Sequence, residues 1–407
     1  MPIRFDSVPY LGPLLSPLLA PLQDRADART EATAAAIENV AGRTASGGGL
    51  AVLALKSAVD RAACAYRLVC GPNASRNDWL RIAREVDGAR RLFSSRGWIE
   101  KPQKYHETPP ALDQAQIVPV RSRARSYLSL RFESGYAPRL HEPGRDRWLS
   151  YAANRTAHAW VLRHQAGRRP WLVCIHGYGM GYPLVDFEAF PVRWLHDTLG
   201  FNVVMPVLPL HGPRKVGRIS GERFLDSDLL DTIHAEAQAM WDIRRVLSWV
   251  QTQEPASIGV YGLSLGGYTA SLLAGLEPGL ACVIAGIPAT DFLRLAMLHT
   301  RSATMRCAER AGLVWNQVAE LLRVISPLAI APRVPHDRLF MFAGTRDRLV
   351  PADHVTELWN HWKRPRMAWY HGSHFSFLWE PEARSLVREA LMMTMIGADD
   401  ESRQAAA

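Results

Sequence analysis

Cysteine is scarce: Cys64, Cys70, Cys174, Cys282 and Cys307 are the five present, far apart and with no C-x-x-C pair among them. Their odd number and wide spacing argue against a disulfide scaffold and a thiolate zinc ribbon, and suit a reducing, cytoplasmic setting. Long apolar runs are missing as well. The longest, 47–59, is interrupted by Lys56 and is shorter than the about 20 residues a spanning helix needs, so no transmembrane segment is expected. Leucines at 11, 14, 15, 18, 19 and 22 enrich the N-terminus, but prolines at 9, 13, 17 and 21 break them up, with no basic segment and small-residue cleavage site beside them. That predicts no signal peptide and leaves residues 1–23 as a candidate for peripheral contact with lipid. Dense basic clusters are absent too. The formal charge is +9, carried almost wholly by arginines spread along the chain, which predicts a solvated surface and no nucleic acid partner.

What is present is ordinary globular composition. The 407 residues are 48% hydrophobic and 21% charged, which excludes collagen and a chain disordered throughout. Residues 1–96 read as a helical N-terminal region, in which Trp79, Ile82, Ala83, Val86, Ala89 and Phe93 recur at helical spacing behind a capping Ser75 or Asn77. A linker, or an irregular wrap over the next unit, is expected over 97–120, punctuated by Pro102, Pro109 and Pro110. The main unit is expected over 121–396, and the tail 397–407 is expected to be disordered. Residues 127–133 alternate as a half-buried strand does, with 157–162 as partner. Short continuous apolar runs at 171–175, 202–208, 257–261, 281–287, 338–343 and 366–370 suit strands buried on both faces. Helical stretches between them, such as 235–251 and 353–362, predict βαβ units.

Three segments carry chemistry. Val260-Tyr261-Gly262-Leu263-Ser264-Leu265-Gly266-Gly267 runs a buried strand into G-x-S-x-G and on into an apolar helix. A serine so placed stands on a strained turn, the nucleophile elbow, where only small residues two before and two after let strand and helix approach. Ile175-His176-Gly177-Tyr178-Gly179-Met180-Gly181 ends an earlier buried strand with a glycine-rich loop whose amides can hold an oxyanion. Leu265, directly after the serine, and Tyr178 are the expected donors, with Gly179 the alternative to Tyr178. A serine also needs a base, itself oriented by a carboxylate. Asp347 follows the apolar run at 338–343, and His374 follows Gly372-Ser373 beyond the last strand, so these are the expected acid and base. His371, closer to the strand, is the alternative base. Asp291 is the rival acid, expected instead to cap a helix. His211, at a strand end, and Trp315, within an apolar helical stretch over 291–337, are candidate substrate-binding residues. The H-x-x-H spacing of His371 and His374 lacks a neighbouring acidic or cysteine cluster, so no metal is expected.

As a set these motifs resemble the α/β-hydrolase superfamily over about 121–396. The resemblance implies an α/β fold: an eight-stranded, mostly parallel sheet with one antiparallel early strand, flanked by helices and carrying a short helical cap over 291–337. It also implies a triad in chain order Ser264, Asp347, His374, and no metal or organic cofactor. A long N-terminal extension with a short cap is similar to bacterial relatives of uncharacterised α/β-hydrolase-domain proteins. A serine where dehalogenases and epoxide hydrolases carry aspartate implies acyl transfer. The expected function is therefore a serine hydrolase acting on a small-molecule ester or thioester. An acyltransferase using the same residues, and a non-catalytic scaffold on the same fold, are the alternatives.

Overall fold

The computed structural model describes residues 74–122 and 125–396. The leucine- and proline-rich N-terminus, Cys64, Cys70, the run at 47–59 and the tail 397–407 lie outside the described residues.

Helix α1 (Arg76–Ser95) opens on a capping box: the Asp78 amide donates to Ser75 Oγ at 3.2 Å and the Ser75 amide donates to Asp78 Oδ2 at 2.8 Å. Its stripe of Trp79, Ile82, Val86, Ala89 and Phe93 is buried, each large side chain contributing about 1.5–3 kcal/mol. Residues 97–115 wrap over the body, with Trp98, Ile99, Tyr105 and Leu112 buried.

The sheet has nine strands in the order β1-β2-β3-β5-β4-β6-β7-β8-β9. Strands β1 (Gln116–Val120), β2 (Tyr127–Glu133) and β3 (Thr156–Leu162) form an antiparallel start, with the short helix α2 (Arg145–Ser150) before β3. Strand β3 also lies antiparallel to β5 (Asn202–Pro206). From there β4 (Trp171–Ile175), β5, β6 (Ile258–Leu263), β7 (Cys282–Gly286), β8 (Leu339–Gly344) and β9 (Arg366–Tyr370) run parallel. The expected eight strands thus become nine, and the one antiparallel strand becomes two, β1 and β3, since β2 between them runs in the direction of β4 to β9. The addition is β1, inside the stretch expected as linker. Its residues are mostly exposed and Pro119 interrupts them, which an edge strand tolerates and which hides it from hydrophobic patterning.

Helices α3 (Pro183–Ala189), α4 (Leu229–Gln251), α5 (Leu265–Leu276), α9 (Ala352–His361) and α10 (Pro381–Leu391) flank the sheet, and the cap comprises α6 (Phe292–His299), α7 (Ser302–Arg310) and α8 (Trp315–Leu322). Alternate strand residues face opposite ways: Val173, Ile175 and Val260 join the core shared with α1, α4, α5 and the cap, whereas Leu172, Cys174 and Tyr261 join the core shared with α10. Burial on both faces is why these strands read as continuous apolar runs.

Candidate active site

Every segment singled out for chemistry follows the C-terminal end of a parallel strand. Ser264 links β6 to α5 with φ 56° and ψ −112°, a left-handed conformation that costs a non-glycine residue of order 1–3 kcal/mol. The neighbouring glycines make it attainable. A Cβ on Gly262 would stand 2.0 Å from the Gly266 carbonyl oxygen, and one on Gly266 would stand 1.9 Å from that of Ile175. The Ser264 amide donates to Gly286 O at 2.9 Å, and its carbonyl accepts from the amides of Tyr268 and Ala289 at 3.0 and 3.2 Å. Leu265 is the first residue of α5, so its N–H is one of those a helix leaves unpaired.

His374 Nε2 lies 2.9 Å from Ser264 Oγ, and its Nδ1 lies 2.6 Å from Asp347 Oδ2. A carboxylate only accepts, so Nδ1 carries the ring proton and Nε2 is left to accept from the hydroxyl. The other Asp347 oxygen accepts the amides of Leu349 and Val350 at 2.9 and 2.8 Å, which fixes the carboxylate plane. Asp347 is 1% and His374 4% exposed, so this relay works in a medium where each bond is stronger than in water. The rivals stand apart. His371 Nδ1 lies 3.4 Å from Thr345 Oγ1, and Asp291 accepts the Arg294 amide at 3.0 Å as the N-cap of α6.

The loop 176–182 stands against the elbow: a Cβ on Gly177 would lie 3.5 Å from Ser264 Cβ. The buried His176 braces it, its Nδ1 2.8 Å from Gly177 O and its Nε2 accepting the Leu208 amide at 3.0 Å. Burial lowers the imidazole pKa to about 4, so it stays neutral. Ser220 Oγ donates to Met180 O at 2.5 Å and accepts the Gly212 amide at 2.8 Å. These two braces were not legible in the sequence as functional, since each depends on a loop more than thirty residues away.

The two residues expected to bind substrate each have a partner within the protein. His211 is fully buried, its ring edge-on to His176 at 5.1 Å and to Tyr178 at 5.8 Å, with Nδ1 2.9 Å from Pro209 O. Trp315 begins α8, where Nε1 donates to Glu309 Oε1 at 2.8 Å, a bond within the cap. Among the described residues no three His, Cys, Asp or Glu side chains gather as a metal site.

No family model matches the chain. It is 45% identical over 329 residues to an uncharacterized protein of Mycobacterium tuberculosis, covering 79% of this chain and 77% of that protein. The counterpart in a second strain is 44% identical over the same length. Among solved structures, the acetyl xylan esterase from Paenibacillus sp. R4 superposes with a TM-score of 0.50 over 73% of this chain and 99% of that one. At 18% identity the likeness is one of fold.

Proposed function

We propose that the chain, which has the α/β-hydrolase fold, is a serine hydrolase cleaving a carboxylic ester or thioester. Ser264 Oγ attacks the acyl carbonyl as His374 Nε2 takes its proton. Asp347 holds the ring and stabilises the imidazolium. The amides of Leu265 and Tyr178 receive the negative charge developing on the carbonyl oxygen, each worth about 10²–10³ in rate. The imidazolium returns the proton to the leaving alcohol or thiol. Water, deprotonated by the same imidazole, then releases the acyl group from Ser264.

One observation carries this reading: the unbroken chain from Ser264 through His374 to Asp347, at 2.9 and 2.6 Å, ending on a serine held at positive φ. A plain turn would have no reason to hold that strain. The apolar content of the cap segment 291–337 is the ground for proposing an acyl or aromatic group as the moiety bound.

The test is p-nitrophenyl acetate hydrolysis together with fluorophosphonate labelling. Ser264→Ala should lower kcat/KM by at least about 10⁴-fold, because the covalent centre is gone, and should abolish labelling while thermal unfolding is preserved. Retention of most of the turnover sinks the reading. Product analysis with an added alcohol or thiol acceptor separates hydrolysis from acyl transfer.

A further inference from the structure

Asp186 is fully buried on α3, just beyond the 176–182 loop, and belongs to neither the relay nor the proposed oxyanion donors. Its Oδ1 accepts the Gly181 amide at 3.0 Å and its Oδ2 accepts Trp160 Nε1 at 3.2 Å, while the Tyr182 amide is a further donor to it. Three N–H groups from two different elements therefore converge on one carboxyl group. Such a set is complementary to a carboxylate; a protonated acid or a carboxamide would turn a donor toward one of those N–H groups.

Gly181 sits at φ 95°, and a Cβ there would lie 3.1 Å from the Gly212 amide nitrogen and 3.2 Å from His176 Nε2. The loop is thus wedged on one side by His176 and the 211–212 turn and tied on the other by Asp186. Tyr178 lies between these fixtures.

We infer that Asp186 is a positioning residue, whose carboxylate holds the 176–182 loop so that the Tyr178 amide faces the oxygen of the reacting acyl group. This rests on the reading of Ser264 as nucleophile. Burial costs that carboxylate dearly: it raises the pKa to about 7, against the lowering effect of the three N–H donors. From β4 the Cys174 thiol faces it, and from β3 Trp160; among the described residues no charged side chain acts on it. Above that pH the carboxylate grips the loop. Below it the acid surrenders one of the bonds, so the placement of the loop weakens.

Two variants test this by steady-state kinetics on p-nitrophenyl acetate across pH, with fluorophosphonate labelling of the wild type as the control. Asp186→Asn should lower kcat by about 10- to 100-fold, less than the loss of an oxyanion donor itself, with KM within about twofold of wild type. It should also lose the part of the wild-type acid limb that falls near pH 7, since no carboxyl group is left there to protonate. Trp160→Phe removes one donor while keeping an aromatic ring, and should move the acid limb to higher pH. If Asp186→Asn does not fold, the Trp160→Phe limb alone decides. Wild-type kcat in Asp186→Asn, or an unmoved limb in Trp160→Phe, overturns the inference while labelling of Ser264 leaves the hydrolase reading standing. Failure of the wild type to label or to hydrolyse ester removes that reading and this inference with it.

Discussion

In the proposed mechanism, the choice of base rests on which imidazole meets two partners at once. His374 touches Ser264 Oγ with one nitrogen and Asp347 with the other, whereas His371 reaches Thr345 Oγ1 at 3.4 Å, a long contact that offers no path to the nucleophile. His374→Ala should therefore cost about 10³-fold or more in kcat/KM, and His371→Ala less than about tenfold, measured on the same ester. Equal losses would mean that the 371–374 turn acts as a unit, and the reverse order would transfer the role. The same comparison separates Asp347 from Asp291. Asp347 spends one oxygen on backbone amides and the other on the imidazole, while Asp291 spends its carboxylate on capping α6.

At the scale of elements, what could be read in the sequence was whatever a single strand and its next turn determine. Continuous apolar runs announced β4 to β9 because both faces of the sheet are covered, and the Ser264 elbow was legible because strand, small residues and helix are consecutive. Strand β1 was not, being exposed and interrupted by Pro119. Nor were Asp186, Ser220 and His176 as supports, since their partners come from other elements. A buried acid between α4 and α5 belongs to the same class. Glu236 is fully buried, with Thr269 Oγ1 at 3.3 Å, and burial raises its pKa from 4.5 to about 8. The folded state thus binds a proton that the unfolded chain releases, so this group's stabilisation is complete below about pH 4.5 and is lost as pH rises through about 8. Glu236→Gln removes that titration. In thermal melts the difference between variant and wild type should shift in favour of the variant from pH 5 to 8 and level off beyond; a difference flat across that range would show that the carboxyl is not held protonated.

At the scale of the whole molecule, the residues ahead of the sheet fasten the cap to the body. The buried stripe of α1 lies against α7 and α8 of the cap and against α4. Arg81 donates to Asp228 at 2.6 Å, and Arg147 joins Glu85 of α1 to Asp231 of α4 at 2.8 and 2.9 Å. Beyond α1, His106 Nε2 lies 2.8 Å from Val324 O, and Arg323 Nε donates to Ile99 O at 3.2 Å, so the wrap is stitched to the chain leaving the cap. Burial lowers the His106 pKa to about 4, which keeps that stitch uncharged at neutral pH. A cap tied to α1 along α7 and α8 and to the wrap where the chain leaves it is no free lid, and its placement depends on α1. Val86, 1% exposed at the centre of the stripe, tests this: Val86→Asp buries an unpaired charge and should cost about 3 kcal/mol or more. The expected result is a melting temperature lowered by several degrees, with faster tryptic cleavage at Arg301, Arg306 and Arg310 in and beside α7 than in the sheet. Below the transition, fluorophosphonate labelling of Ser264 should persist, because the relay hangs on β6, β8 and β9 rather than on α1. KM should rise more for long or aromatic acyl esters than for acetate, since only the larger acyl groups reach the cap. Uniform proteolysis, or loss of labelling in step with stability, would instead mean that α1 supports the whole fold without favouring the cap.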